Sequence, residues 1–298
     1  MKLKKGDIVG RLSYNKDIIF VISDIIGYKN QKIAILKGLI TRIEADSPVE
    51  DLELIEEDRV VDLLKKFEKD LENRKLKFSK SEIEYSQRKF YGSYGSIFHL
   101  DGDKKYSEKS QRFYRSMGLE VVVKNIPEKR QPQMIWGLLS KYNPDILVVT
   151  GHDGMIKKGH NYNDIYNYRN SRYFVETVMR ARAWERGLNK MTIFAGACQS
   201  YYEAIMEAGA NFASSPARIL IDFKDPLIVA EKVAITPENK YVTINDIKDE
   251  LRDGANRSRW SGLKRKEENI RKLDQLLKCN KNVIIVTLVT QSLLQSQL

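Results

Sequence analysis

From residue 91 onward, the chain alternates short apolar runs with longer amphipathic segments. The clearest run is Asp145–Thr150, whose nearly continuous apolar composition is typical of a strand that is buried on both faces. Strands that alternate with helices form a parallel sheet with right-handed crossovers, so that helices cover both faces. The alternation therefore predicts an α/β fold, with strands at 95–100, 119–123, 145–150, 191–195, 211–213 and 282–287, and with helices that begin near 106, 132, 172 and 200.

The first part of the chain has a different pattern, in which short β-branched runs are separated by turn residues. The runs at Gly6–Gly10, Asp17–Ile22 and Gln31–Leu36 predict a small antiparallel β module similar to SH3-like modules. Apolar residues then recur at helical spacing and predict an amphipathic helix that runs to about residue 78: Val60, Leu64, Phe67 and Leu71. We expect three parts: an SH3-like β module at 1–57, a helix and linker at 58–90, and an α/β domain at 91–298.

Cysteine and histidine are scarce, with two cysteines and three histidines among 298 residues. Two cysteines cannot build a disulfide framework or a cysteine-based zinc site, and no acidic or histidine cluster has the spacing of metal ligands. Gly92 and Gly95 precede the first strand of the α/β part, so they do not form a dinucleotide-binding fingerprint. We therefore expect neither a metal nor a cofactor.

The composition is that of a globular protein, with 42% hydrophobic and 31% charged residues. The first residues form no apolar leader, and the longest apolar stretch, Val283–Val289, is too short to cross a bilayer. These features predict a cytoplasmic protein that does not bind a membrane.

The chain is basic, because 51 Lys and Arg residues outnumber 40 Asp and Glu residues and leave a net charge of +11. One interpretation is a polyanionic partner, and the other is a basic surface of mixed sign. Acids are interleaved with the bases nearly everywhere, and no dense basic run alternates with aromatic residues as single-strand binders require. The pattern favours the second interpretation, so nucleic acid is not the expected partner.

Two predicted strands end next to reactive side chains. His152 follows the strand at 145–150, and Cys198 follows the strand at 191–195. Active sites of open α/β sheets lie at the carboxyl ends of the strands, so adjacent strands would bring thiol and imidazole together as a nucleophile and a base. A helix that starts after Cys198 and a nearby imidazolium would both lower the pKa of the thiol. The alternative is a buried cysteine that acts as a small hydrophobic residue beside a histidine that caps a turn.

The order of these residues separates two kinds of thiol chemistry. Glutamine amidotransferase-like proteins place a cysteine at a G-x-C-x-G elbow with the histidine downstream, which does not fit this chain. A histidine and glycine after one strand, followed by a cysteine after the next, is the caspase-like order, although Asp153 separates His152 from Gly154 here. We therefore predict a caspase-like sandwich. His99 is expected to support or line the site, His160 to lie in a loop, and Cys279 to serve in packing.

Three segments closely resemble the YabG family of sporulation-specific proteases: Lys5–Arg11 with Ser13 and Tyr14, Ala195–Ser200, and Glu207–Pro216. The similarity runs from residue 1 to about Pro226. It implies a cysteine peptidase of spore-forming Firmicutes that acts in the mother-cell cytoplasm, or in association with the spore coat, on coat and cortex-associated proteins. It further implies cleavage mainly after arginine and self-processing. The family's cysteine maps onto Cys198 and its histidine onto His152.

In the mechanism that we expect, His152 deprotonates Cys198 and later protonates the leaving amine. The oxyanion is held by the backbone N–H of Cys198 and by one from Asp153 or Gly154. Arginine before the scissile bond calls for an acidic pocket, because a guanidinium pairs best with a carboxylate. Candidate substrate-binding residues are the acids Asp101, Asp103 and Asp153, together with His99, Ser214 and Ser215 around the cleft.

Each acid has an alternative role as an ordinary loop or helix-capping residue. Two other functions also stay open at this point. The basic balance and the SH3-like start are compatible with a nucleic-acid-binding regulator, and the same module could recruit spore coat components to an inert α/β scaffold.

Overall fold

The computed structural model describes residues 2–28, 31–86, 94–156, 161–185, 190–214, 220–236, 242–247 and 250–251. The predicted helix and strand segments at 243–277 and 282–287 lie largely or wholly outside these residues, as do His160, Ser215 and Cys279.

The first sheet is antiparallel and has the strand order β4-β3-β2-β1-β5. Three of its strands contain the β-branched runs seen in the sequence, and along β3 buried residues alternate with half-buried ones. The second strand is longer than predicted because it continues past Ile22, with an irregularity between Ile22 and Asp24, into a long pairing with the third. The strands are β1 (Ile8–Arg11), β2 (Ile19–Tyr28), β3 (Gln31–Gly38), β4 (Glu44–Pro48) and β5 (Leu52–Leu54).

The helix α1 (Glu57–Ser86) connects the two sheets. Its apolar positions Val60 and Phe67 are buried, as the helical spacing predicts, and Phe67 packs against the ring of Phe223 with centroids 5.2 Å apart. This helix therefore reaches the core of the second sheet. The part boundaries at residues 57 and 90 stay predictions.

The second sheet is entirely parallel and has the strand order β7-β6-β8-β9-β10. The chain runs outward from β6 to β7 and then returns to the other side of β6, so a topological switch point lies between β6 and β8. This arrangement confirms the predicted α/β class and is consistent with a caspase-like sandwich. The strands are β6 (Ile97–Asp101), β7 (Val121–Asn125), β8 (Ile146–Thr150), β9 (Thr192–Ala195) and β10 (Phe212–Ala213).

Helices cover both faces of the parallel sheet. On one face α1, α2 and α6 share a core with side chains such as Phe113 and Leu227, and on the other α3, α4 and α5 share a core with Ile135 and Phe174. The sequence pattern did not predict α6, which starts with Asp225 and Pro226. The helices are α2 (Lys104–Ser116), α3 (Gln131–Tyr142), α4 (Ser171–Trp184), α5 (Tyr202–Glu207), α6 (Asp225–Ile235) and α7 (Ile244–Ile247).

The antiparallel sheet packs against the carboxyl edge of the parallel sheet. Its β3–β4 loop forms an antiparallel bridge from Thr41 to Asp222 and a parallel bridge from Ile43 to Asp153. Apolar side chains of the module form one core with two residues of the α/β part, Cys198 and Ile221. None of the helices in the described segments combines the length and the apolar character needed to cross a membrane.

Candidate active site

The two predicted reactive residues lie at the carboxyl ends of neighbouring strands. His152 follows β8, which ends at Thr150, and Cys198 follows β9, which ends at Ala195. The two strands pair directly and in parallel, so their following loops leave the same edge of the sheet. Both side chains are completely buried. The strand adjacency on which the pairing of a nucleophile with a base depends is therefore present.

Cys198 is surrounded by backbone groups rather than by solvent. Its thiol donates to the carbonyl oxygen of Ile221 over 3.6 Å, and its sulfur accepts from the Ile221 N–H over 3.4 Å. The N–H of Arg42 also acts on the sulfur. Burial outweighs these donors and raises the pKa of the thiol to about 12.

This shift is opposite to the predicted lowering of the Cys198 pKa. The helix α5 begins at Tyr202, four positions later, so its N-terminus does not follow the cysteine directly as the sequence suggested. Gln199 instead takes a left-handed conformation with φ 57° and turns the chain away. A six-residue helix that starts beyond this turn gives the sulfur no direct N-terminal donor.

His152 is a buried imidazole whose two ring nitrogens have no hydrogen-bond partner among the described residues. Its Nδ1 lies 4.0 Å from Oδ2 of Asp103, and its ring packs against Tyr106 with centroids 5.7 Å apart. The backbone N–H of His152 donates to Oε1 of Glu128 over 2.7 Å, which fixes the loop. Burial, reinforced by the positive charge of Lys37, lowers the pKa of the imidazole to about 4. Its ring is therefore neutral at neutral pH.

Asp153 organises the loops around both reactive residues. Its Oδ2 accepts from the hydroxyls of Ser171 at 2.5 Å and Ser200 at 2.9 Å, and its Oδ1 accepts from the N–H groups of Gly154 and Asn170, each at 2.8 Å. Burial nevertheless raises the pKa of this carboxyl to about 6. Because its oxygens are engaged by the loops, the Asp153 side chain does not serve as the acid that binds a guanidinium.

The same loop contains the two backbone N–H groups that the sequence suggested as alternative oxyanion donors. The N–H of Gly154 is used within the loop, because it donates to Asp153. The N–H of Asp153 donates instead to the carbonyl oxygen of Arg42 over 3.3 Å. Of these two alternatives, only the Asp153 N–H is directed at a carbonyl group from another part of the chain.

Asp101 pairs with a buried arginine at the switch point of the sheet. The guanidinium of Arg42 donates through Nη1 to Oδ2 of Asp101 and to the hydroxyl of Thr150, the latter over 2.9 Å. It also lies over the ring of Tyr106, 4.8 Å from its centroid. Both charged side chains are completely buried. This carboxylate is therefore placed to bind a guanidinium.

His99 supports this pair from within strand β6. Its Nε2 is hydrogen bonded to the Thr150 hydroxyl over 2.7 Å, and the hydroxyl of Tyr114 lies 3.4 Å from its Nδ1. The Thr150 hydroxyl has a single proton, which it donates to the Asp101 carboxylate over 2.9 Å. The neutral His99 ring must then donate through Nε2. Burial lowers the pKa of His99 well below its ordinary value, in keeping with this role.

The other predicted substrate-binding residues have structural contacts. Asp103 caps α2, because its Oδ1 accepts from the N–H groups of Lys105 and Tyr106 over 2.8 and 3.2 Å. Ser214 is buried and donates to the carbonyl oxygen of Ala197 over 3.1 Å. A Cβ added to Gly196, which has φ +111°, would lie 2.5 Å from the Ser214 hydroxyl. Ser214 therefore packs against the loop that contains Gly196, Ala197 and Cys198 and does not form the rim of a cleft.

Two residues that the sequence analysis missed contact this site. Arg42 lies in a mostly apolar loop of the β module, where no local pattern marks it as part of a cleft. Glu128 follows Pro127 in a short turn before α3, and burial raises the pKa of its carboxyl to about 7. Within the described segments, no group of three or more His, Cys, Asp and Glu residues is arranged to hold a metal ion.

Comparison with known proteins places this arrangement in a family. The chain matches the family described as YabG peptidase U57 over residues 4–256. The chain belongs to this peptidase family. It is also 36% identical over 277 residues to the sporulation-specific protease YabG of Bacillus subtilis (strain 168), an alignment that covers 88% of this chain and 94% of that protein.

Membership in the YabG family confirms the resemblance found in the sequence and establishes the chain as a peptidase. The match continues to residue 256, about 30 residues beyond the expected limit near Pro226. It includes the β module from residue 4 onward, so this module is part of the family's shared structure.

Proposed function

We propose that this YabG-family chain is a cysteine endopeptidase that acts during sporulation and cuts protein substrates after arginine. Cys198 is the nucleophile and His152 is the general acid and base. The observation that carries the proposal is the placement, after adjacent parallel strands, of a buried thiol and a buried imidazole whose ring nitrogens form no hydrogen bond within the described residues. An unsatisfied buried imidazole is costly, so its presence at this edge favours a functional role.

The proton can move only as the sulfur attacks, because the pKa of the buried thiol lies far above that of the buried imidazole. The raised pKa of Cys198 and the lowered pKa of His152 keep both groups neutral at pH 7. His152 takes the thiol proton as the sulfur attacks the scissile carbonyl carbon, and then gives that proton to the leaving amine. Asp103, 4.0 Å from Nδ1, stabilises the imidazolium that forms in between.

The acyl-enzyme is a thioester between Cys198 and the arginine of the substrate. Water, deprotonated by His152, hydrolyses it and releases the carboxyl product. The Asp153 N–H, together with that of Cys198, supports the oxyanion in both steps. The name of the Bacillus subtilis relative supports action during sporulation, and we propose coat and cortex-associated proteins as substrates and the mother cell as the location.

Digestion of an arginine-containing spore coat protein tests this assignment. We expect the purified full-length chain to cut it, and Cys198→Ala and His152→Ala to lower the rate by at least about 1,000-fold, because both the nucleophile and its base are lost. The matched control is Cys279→Ala, which removes the other cysteine and should retain activity. Undiminished digestion by Cys198→Ala would exclude the proposed nucleophile.

A further inference from the structure

Arg42 is held in the cleft at its side chain, its carbonyl group and its N–H. The side chain bonds to Asp101 and Thr150, the carbonyl oxygen accepts from the Asp153 N–H, and the N–H acts on the Cys198 sulfur. A thiol peptidase must hold the carbonyl group of the residue before the scissile bond, and one that selects arginine must also hold its side chain. The β module thus presents an arginine to the groups assigned to catalysis.

The backbone on both sides of Arg42 is bridged to neighbouring backbone segments, as the backbone of a bound peptide often is. Thr41 forms an antiparallel bridge to Asp222 on one side, and Ile43 forms a parallel bridge to Asp153 on the other. The N–H of Glu44 donates to the Asp153 carbonyl oxygen over 2.8 Å. An extended segment that bonds to neighbouring backbone in this way is a recurring mode of peptide recognition.

Groups from the loops after β8 and β9 contact the backbone of Arg42 on both sides of its Cα. The carbonyl carbon of Arg42 is two covalent bonds from the nitrogen that acts on the Cys198 sulfur, or about 2.5 Å. Its oxygen is the acceptor for the predicted oxyanion donor. The sulfur and the predicted oxyanion donor therefore contact the N–H and the carbonyl group of the same residue, Arg42.

The buried ion pair is poorly explained by stability alone. Nε and Nη2 of Arg42 have no hydrogen-bond partner within the described part of the chain, although the side chain is completely buried. Buried ion pairs recover their desolvation cost only when the remaining donors are also satisfied. The incomplete bonding of Arg42 favours a site that binds arginine for its chemistry.

We propose that Asp101 and Thr150 form the pocket that selects arginine, and that Arg42 occupies this pocket in cis, so that Arg42–Ile43 is an internal cleavage site. The inference rests on the proposed function and assigns its specificity residue and its first substrate bond. The Cys198 sulfur bonds to the Arg42 carbonyl carbon, the Arg42–Ile43 C–N bond breaks, and His152 passes the thiol proton to the Ile43 amine. Water then hydrolyses the thioester to leave a carboxylate on Arg42 and restore the thiol.

Intact-mass analysis and N-terminal sequencing of the purified full-length chain test the internal site. We expect wild type to yield two fragments, one that ends at Arg42 and one that begins at Ile43, whereas Cys198→Ala stays whole. Arg42→Gln should also stay whole at this bond, and Arg59→Gln, which removes an exposed arginine on α1, should be cut like wild type. The absence of the Ile43 N-terminus from active wild type would overturn the internal site.

Peptide hydrolysis tests the pocket without depending on how the Arg42 variants fold. A peptide with the sequence of residues 38–47 should be cut between the residues equivalent to Arg42 and Ile43, and a version with glutamine in place of the arginine should not. Asp101→Asn should lower kcat/KM for the arginine peptide by about 100-fold, because a buried charge partner is lost. If Asp101→Asn leaves the preference for arginine over glutamine unchanged, Asp101 is not the specificity residue.

The two proposals fail in different ways. If coat protein is cut after arginine in a Cys198-dependent manner but the Arg42–Ile43 bond and the matching peptide stay intact, the inference about Arg42 is wrong and the proposed function stands. If neither protein nor peptide is cut by wild type while Cys198→Ala behaves identically, the proposed function itself fails.

Discussion

Burial sets the charge of the reactive side chains in the occupied cleft. Cys198 packs in the apolar core of the β module, His152 is also completely buried, and burial disfavours the charged form of each side chain. A neutral thiol is less reactive than the thiolate of a preformed ion pair toward solutes outside the cleft. The attack on a carbonyl already in place then depends on proton transfer to His152.

The carboxyl of Glu128 should make the stability of the protein depend on pH. Its carboxyl accepts from the His152 N–H, and burial raises its pKa from 4.5 to about 7. The folded state therefore binds a proton that the unfolded state has released between these pH values, so this group favours folding at low pH and loses that contribution as the pH rises. The loss amounts to about 3 kcal/mol between pH 4 and pH 8.

The measurement is urea unfolding of Glu128→Gln in the inactive Cys198→Ala background. Gln keeps an acceptor for the His152 N–H but does not titrate. The free energy of unfolding of the variant, relative to its parent, should rise by about 3 kcal/mol from pH 4 to pH 8. Glu68→Gln, an exposed substitution on α1, should change stability by less than about 0.5 kcal/mol at either pH. A difference that stays constant with pH would contradict the assignment to Glu128.

Sequence reasoning found the residues whose position follows from strand ends. His152, Cys198 and Asp101 each lie at or just after the carboxyl end of a parallel strand, and the rule for α/β sheets brings these ends together. It missed Arg42 because this residue pairs with Asp101 across 59 positions and from another sheet. The sign of the Cys198 pKa shift was wrong for the same reason, since the module that buries the thiol could not be placed over it.

Among the secondary-structure elements, the local sequence pattern located the parallel strands but did not reveal strands that form only by pairing with other strands. The five described strands of that sheet start or end within two residues of their predicted bounds. The strands Glu44–Pro48 and Leu52–Leu54 were missed because they lack a β-branched pattern and form through pairing with β3 and β1. The apolar helix Asp225–Ile235 was missed because a nearly continuous apolar run has no helical periodicity to detect.

The contact between the β module and the loop after β8 leaves no room for a side chain at one glycine. Gly154 lies against β4, and a Cβ added to it would be 2.2 Å from the Glu44 carbonyl oxygen. The methyl group of Gly154→Ala therefore fits only if residues 42–44 move away from the loop. In the Cys198→Ala background we expect a loss of about 2 kcal/mol in the free energy of unfolding.

Thermal unfolding measures this effect against a matched control. Gly137→Ala lies in α3, where an added Cβ meets nothing within 4 Å, and it should be neutral or stabilise the chain by up to about 1 kcal/mol. Equal melting temperatures for Gly154→Ala and its parent would show that the loop and β4 are not in contact.

At the scale of the whole molecule, an internal cut need not separate the parts. Residues before Arg42 supply β1, β2 and β3, and residues after it supply β4 and β5 of the same sheet. β3 pairs with β4 and β1 pairs with β5, so backbone hydrogen bonds cross the proposed cleavage point twice. Cleavage would release Arg42 from a covalent constraint while the module stays in place.

Gel filtration of the cleaved protein checks this consequence. The fragments 1–42 and 43–298 should elute together in native buffer and separate only in denaturant, because the paired strands and the shared apolar core persist after the bond is cut. Elution of the short fragment by itself from native buffer would show that the sheet does not hold the two pieces together.

The net charge of +11 has a different meaning for an arginine-directed peptidase. Exposed arginines become potential self-cleavage points, and only those that can extend into the cleft would be cut. In the described structure Arg42 is already there, bonded to Asp101 and Thr150. The shape of the molecule, rather than the number of its basic residues, thus determines which bond is presented to Cys198.

The proposed role of Cys198, cutting peptide bonds after arginine, is tested by the cleavage profile of a peptide library that varies the residue before the scissile bond, measured for wild type beside Cys198→Ala. We expect wild type to cut mainly after arginine and the variant to show no cuts above background. The same cuts by Cys198→Ala, or cuts by wild type with no preference for arginine, would show that Cys198 does not have this role.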